Sequence, residues 1–333
     1  AKGELLFVGH RLGISSTLYA LKPGGKARPL LSLDGYVKLL DVDRKGHVLL
    51  ARDDMRTQVL LRGPSDSGER ELSWLDSSYA ADLSDDGKLL LLVEDGAGGG
   101  SVRATYLRKT DGSAAVRLGD GGGLDLSPDG ASVLLLKPGP PSELWLVPTR
   151  AGSPRRLPTA PLDELRTGTW FEDGKRILVI GAEPGHGPRG WVLEAREGAP
   201  APRPITPEGI NVAMGARVVS PDGAFLAAKT RGAAFLYPIG GGGERPIPVD
   251  AREEPLRFSA DGKALYTRVR GLPTRILRLD LASGKKELVR ELMPADPSGV
   301  RVIRSVILTP DAGTYAYTFE RVLSELTLVD LKR

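Results

Sequence analysis

The chain of 333 residues has no cysteine. Disulfides, thiolate metal centres and cysteine nucleophiles are therefore excluded, while secreted, periplasmic and cytosolic settings all stay open. Histidine is nearly as scarce. His10, His47 and His186 are the complete set, and none stands at the i, i+4 spacing of a metal site. His10 and His186 are both expected in loops that one face of the fold would gather, but solvated loop positions are the simpler reading. No apolar run approaches the roughly 18 residues that cross a bilayer; the longest, residues 89–93, has the length of a strand. No Lys/Arg run is long enough for a nucleic-acid arm, and the net charge of +4 is spread along the chain, which argues against a nucleic-acid partner. No G-x-S-x-G nucleophile elbow occurs. The sequence opens on Ala1 rather than Met, as expected of a processed product or a piece of something larger.

Turn-forming residues are plentiful instead: 42 glycines and 26 prolines. Many of them belong to one repeated turn, Ser/Thr-Pro-Asp-Gly or a decayed form of it. Copies fall at Asp43-Arg44-Lys45-Gly46, Ser84-Asp85-Asp86-Gly87, Ser127-Pro128-Asp129-Gly130, Glu172-Asp173-Gly174, Ser220-Pro221-Asp222-Gly223, Ser259-Ala260-Asp261-Gly262 and Thr309-Pro310-Asp311-Ala312-Gly313. Successive Asp residues lie 43, 43, 44, 49, 39 and 50 positions apart, the period of four-stranded propeller blades. Pro presets φ, Asp bonds back to the local backbone, and Gly takes the positive φ that closes a hairpin.

Apolar β-favouring runs flank each turn and predict the two inner strands of a blade. A third, aromatic or aliphatic strand follows, as in Leu144-Trp145-Leu146-Val147, and then a polar strand such as Pro154-Arg155-Arg156-Leu157. Charge and Pro on the last strand protect an exposed outer edge. No amphipathic helical period appears. The expected fold is all-β: one propeller domain over residues 1–333, of four-stranded antiparallel blades, with partial repeats at 1–33 and 301–333. Eight blades are favoured over seven; seven result if the termini share a closing blade.

The Ser-Pro-Asp-Gly core followed by an aromatic strand resembles the TolB-like, WD-like bacterial propellers along essentially the whole chain. Four stretches, Glu71-Leu72-Ser73-Trp74-Leu75-Asp76-Ser77-Ser78, Leu107-Arg108-Lys109-Thr110-Asp111-Gly112-Ser113, Glu291-Leu292-Met293-Pro294-Ala295-Asp296-Pro297 and Leu323-Ser324-Glu325-Leu326, are similar to propellers that follow a bacterial serine/threonine kinase domain. The resemblance implies a sensor domain on the periplasmic or extracellular side of a membrane, with a membrane-anchored parent protein. The chain itself has no Gly-rich nucleotide loop with a strand Lys, no His-Arg-Asp and no Asp-Phe-Gly, so it does not encode phosphoryl transfer.

Glycine-rich residues 96–100, 119–123 and 240–243 each run into an expected strand rather than a helix, so they read as hairpin loops and not phosphate cradles. Asp41, Asp82 and Asp125 occupy matching places before successive turns. They read as structural repeat positions, with a cation-binding ring of carboxylates as the lesser alternative. The pattern of most interest is arginine. Arg11, Arg52, Arg56, Arg189, Arg231, Arg268, Arg270 and Arg321 are all expected in loops joining second to third strands, which a propeller gathers on one face. Such a face would capture an anionic ligand through bidentate guanidinium contacts, with Trp74 and Tyr79 as an apolar anchor. The expected partner is a protein or a small anion, with no cofactor and no catalytic residue assigned. The competing expectation is a propeller enzyme, a lyase or lactone hydrolase, using channel-mouth carboxylates and a divalent cation.

Overall fold

The computed structural model describes residues 3–10, 15–100 and 102–331. Strands dominate, and the single helical element described is the 3-10 turn Ala97–Gly99. The chain divides into two compact units, one from residues 1–57, 296–301 and 320–333, the other from residues 58–295 and 302–319.

The larger unit carries the repeat. Five antiparallel sheets of four strands follow one another, from Ser78–Leu83 through Val116–Asp120 in the first to Glu253–Phe258 through Lys286–Leu292 in the fifth. These are propeller blades. Their second strands are apolar without alternation because both faces are covered. In Leu89–Glu94, Leu90 and Leu92 join a cluster with Val59, Leu61, Ile307 and Ala316, while Leu91 and Val93 join Leu126 and Val133 of the following sheet. Each fully buried leucine of this kind stabilises the fold by about 1.5–3 kcal/mol. Two of the outermost strands, Arg155–Arg156 and Arg203–Pro204, are short, at least partly exposed and carry arginine.

The smaller unit contains a three-stranded sheet, Leu5–His10, Ser15–Leu21 and Arg28–Asp34, which is the partial repeat expected at residues 1–33. A further pairing sets Tyr36–Val42 against the start of His47–Arg62. The 16-residue strands His47–Arg62 and Tyr315–Asp330 each have residues in both units. The described residues form seven sheets in all, in keeping with an expected seven or eight blades.

The repeated turn is built as its composition demands. Ser127 Oγ donates to Asp129 Oδ1 at 2.6 Å, the same oxygen accepts from the Ala131 amide at 3.0 Å, and Ser127 Oγ accepts from the Ser132 amide at 2.9 Å. Equivalent Ser/Thr-to-Asp bonds occur at Asp86, Asp222, Asp261 and Asp311. The neighbouring hydroxyl holds each of these five carboxyls below the usual carboxylate range. A depressed folded-state pKa contributes stability above the unfolded value near 3.8 and loses it as pH falls through the folded value. Thermal stability is therefore expected to fall steeply below about pH 4, and Asp129→Asn should flatten that acid limb measurably in a Tm-against-pH series.

One copy departs from the pattern. The positive-φ position, glycine elsewhere (Gly87, Gly130, Gly223, Gly262), is Ala312 with φ 54°. Left-handed backbone costs a non-glycine residue about 1–2 kcal/mol, against about 0.8 kcal/mol for burying one methyl. Strain relief wins, so Ala312→Gly is expected to stabilise the protein by about 0.5–1 kcal/mol in denaturant titration.

Candidate functional site

Two places in the larger unit bring charged side chains together. The first lies between the inner strands. A register shift between Ala80 and Asp82 in one sheet, and between Gly123 and Asp125 in the next, gives the two aspartates the same placement. Each latches onto the inner strand of the following sheet. Asp82 Oδ2 accepts from the Leu126 amide at 2.9 Å, and Asp125 Oδ2 accepts from the Trp170 amide at 2.6 Å and Thr169 Oγ1 at 2.8 Å.

Their common counter-charge comes from far along the chain. The inner strand Ile210–Asn211 stops after two residues, and a turn at residues 213–216 follows, with Gly215 at φ 72°. The segment then pairs in parallel with the next sheet, Arg217 against Arg257. The apolar run Val218-Val219 before the Ser220 turn makes only isolated bridges here, and the detour delivers Arg217 to its partners. Arg217 reaches Asp82 at 2.6 Å, Asp125 at 2.9 Å and Asp85 at 3.2 Å, and donates to the Leu126 carbonyl at 3.0 Å. Arg257, also buried, reaches Asp85 at 2.5 Å and the Leu308 carbonyl at 3.0 Å.

Burial would depress the Arg217 pKa, but Asp125 and Asp82 overcome it and keep the guanidinium protonated. Burial pushes the Asp125 carboxyl well above its ordinary range; Arg217 pulls it back and Asp82 pushes it up again. The cavity above this cluster, about 290 Å³, is lined by Asp85, Trp170, Glu172, Arg217, Arg257 and Phe258 among others. For the carboxylate ring considered from sequence, the finding is plain: Asp82 and Asp125 are structural latches, and the cation between them is Arg217. Asp41, in the smaller unit, instead caps the Val42 amide at 2.8 Å.

The second place is a groove of about 570 Å³ on the loop side of the fourth and fifth four-stranded sheets. Arg231 and Arg270, both expected at a binding face, line it together, and Lys229 and Arg252 join them. Lys229 Nζ is occupied by the carbonyls of Asp250, Ala251 and Glu253. Arg270 pairs with Glu254 at 2.5 Å. Arg268 is not on the surface: it is buried, with Nε 2.7 Å from Glu254 and Nη1 2.9 Å from the Arg304 carbonyl. Its strand is covered on both faces, so a loop-face assignment placed it one step too far out; its effect on the groove is to position Glu254. Burial lowers the Arg268 pKa, with Glu254 opposing, while the Glu254 carboxyl, which burial would raise, is held low by Arg270 and Arg268.

The remaining expected residues are elsewhere. Arg189 bonds Glu208 at 2.9 Å in the larger unit. Trp74 is half-buried against the Leu90 cluster under the Arg108 guanidinium, 5.5 Å from the ring, and Tyr79 packs on the Leu91 cluster, so both rings serve packing. In the smaller unit Arg52 pairs with Glu325 at 3.0 Å, Arg56 with Asp54 at 2.9 Å and Arg321 with Asp296 at 2.9 Å. Arg11 lies outside the described residues. The histidines find local partners: His10 Nδ1 and Ser16 at 3.0 Å, His47 and Asp43 at 2.7 Å, His186 and Glu208 at 3.0 Å.

No protein-family model matches the sequence, and no match is found among curated proteins. Solved structures do match. The structure of putative TolB from Agrobacterium tumefaciens aligns over 81% of this chain and 99% of its own, with TM-score 0.55 and 19% identity. A puromycin-hydrolyzing peptidase from Mycobacterium tuberculosis aligns over 90% of this chain and 55% of its own, with TM-score 0.51 and 16% identity. At these identities the likeness speaks for fold alone. Sheet order, repeated turn and these likenesses together make the chain a β-propeller, similar in fold to TolB.

Proposed function

We propose that this propeller is a non-enzymatic binding domain, a sensor or docking module that engages a protein or an anionic ligand from its loop side. The observation that carries the reading is the occupation of the central carboxylates. Catalysis by channel carboxylates needs at least one free to move a proton or hold a cation. Asp82, Asp125 and Asp85 are instead committed to Arg217 and Arg257. The stretches that resemble kinase-linked propellers support a sensor role beside a bacterial serine/threonine kinase and an extracytoplasmic location. Cation-dependent lyase or lactonase chemistry is the competing function, and it would have to find its carboxylates outside this cluster.

Thermal shift against acidic sugars, cell-wall fragments, peptides, nucleotides and divalent cations tests the reading, with each compound also assayed for turnover. A binder at 100 times its Kd should stabilise the native state by about 2.7 kcal/mol. Binding without bond cleavage is the expected result. Divalent-cation-dependent cleavage of any panel compound would overturn it.

A further inference from the structure

We infer that the groove at Arg231, Arg252 and Arg270 is a binding site for a polyoxyanion, a small ligand carrying two or more carboxylate or phosphate groups. The inference rests on the reading of the chain as a binding domain and names the ligand class for one site on it.

Charge balance is the first argument. Four cations and one acid line the groove, and Glu254, the acid, is already shared by Arg268 and Arg270. Arg231 and Arg252 are exposed, and neither has a carboxylate partner among the described residues. Most other arginines expected on the loop side are paired, among them Arg52, Arg56, Arg189 and Arg321. A single-charge anion would leave excess positive charge in the groove. A ligand with two or more oxyanions would match it, and each guanidinium can offer two parallel N–H donors. Asn211 and Thr230 add neutral polar groups to the lining, and about 570 Å³ suits a ligand of metabolite size.

Backbone conformation is the second, independent argument. Thr230 pairs with Ala233 across a two-residue turn, with Arg231 at φ 50° and Gly232 at φ 86°. Two positive φ values are the mark of a type I′ hairpin, whose first position favours Asn, Asp or Gly. A long side chain in left-handed conformation is strained there, and Arg231 makes no ion pair that would offset the cost. Backbone strain of this kind is typical of residues kept for a ligand. Arg231 is therefore held where Asn would fold better, as expected if its guanidinium serves the groove.

The test uses calorimetric titration of the full chain with citrate, pyrophosphate and inorganic phosphate, alongside Arg231→Asn, Arg252→Ala and their double variant. Lys26→Ala/Arg28→Ala in the smaller unit controls for general loss of charge. Citrate or pyrophosphate is expected to bind, and inorganic phosphate more weakly; which of the two binds tighter tells carboxylate from phosphate recognition. Each groove substitution should weaken that binding by about tenfold, the scale of one charge-assisted contact. Arg231→Asn should also raise Tm, separating lost binding from lost folding. No binding of either polyanion would overturn the inference, as would unchanged affinity in the double variant. In the latter case the binding-domain reading stands and only the site is wrong. That broader reading fails on a different signal, catalytic turnover.

Discussion

Replacing Arg217 with methionine is expected to destabilise the protein by about 3–5 kcal/mol. The guanidinium is the cation shared by two buried carboxylates, Asp82 and Asp125, and by half-exposed Asp85. Methionine fills most of the volume, so packing loss is small, but the two aspartates stay buried with backbone amides and Thr169 as their remaining donors. Removing one member of a buried ion cluster is costly because the uncompensated charge remains. The sign with pH follows. Without Arg217 the Asp125 carboxyl, which burial already pushes up, gains further proton affinity in the folded state, so the variant's deficit should be largest at neutral pH. It should narrow as the medium is acidified and Asp125 takes up its proton. Urea titrations of both proteins at pH 7 and pH 5 read this directly. A deficit below about 1 kcal/mol at pH 7 would place Arg217 among surface-like ion pairs.

Gly215→Ala should cost about 2–3 kcal/mol, combining left-handed strain with a backbone clash. At φ 72° any side chain is strained, and an added Cβ would stand 2.9 Å from the Ala81 carbonyl oxygen, which cannot rotate away. The position matters because Gly215 lets the chain turn close to Ala81, next to Asp82, just before Arg217. A substitution here should therefore disturb the ion cluster as well as the turn. The double variant with Arg217→Met tests the coupling: the combined loss should fall short of the sum by at least about 0.5 kcal/mol, since both changes act on one network. Strict additivity would mean that the turn and the ion cluster are independent.

What could be read from sequence was local and repeated. The Asp-Gly turn shows itself because its bonds span two to five residues, and its recurrence predicts the sheets. The same repetition exposed Asp82 and Asp125 as equivalent positions. Their partner did not show, since Arg217 lies 135 residues beyond Asp82 and belongs to a segment that breaks the repeat. That break was itself the available signal: the 49-residue spacing before Asp222 is among the longest of the series, and Gly215 and Arg217 interrupt a mostly apolar approach to the turn. Arginine placement was half legible. Loop position put Arg231 and Arg270 on a common groove, but strand burial hid Arg268. Lys229 and Arg252 joined through tertiary contact rather than repeat position. The Thr-Arg-Gly-Ala hairpin could have singled out Arg231, because Arg is a poor choice for the first position of such a turn.

The account rests on the central carboxylates being structural and the ligand chemistry lying at the loops. The most direct measurement is the panel-wide thermal-shift profile of Arg217→Met/Asp82→Asn/Asp125→Asn set against the unaltered protein. Removing the three charges together leaves none of them uncompensated, and each Asn keeps a side-chain oxygen for the Leu126 or Trp170 amide that the aspartate bonded, so this triple variant is expected to fold. The account predicts the same responses in both proteins, polyanion stabilisation included. A folded triple variant that loses those responses, or that loses a divalent-cation response the unaltered protein shows, would contradict it and return function to the channel.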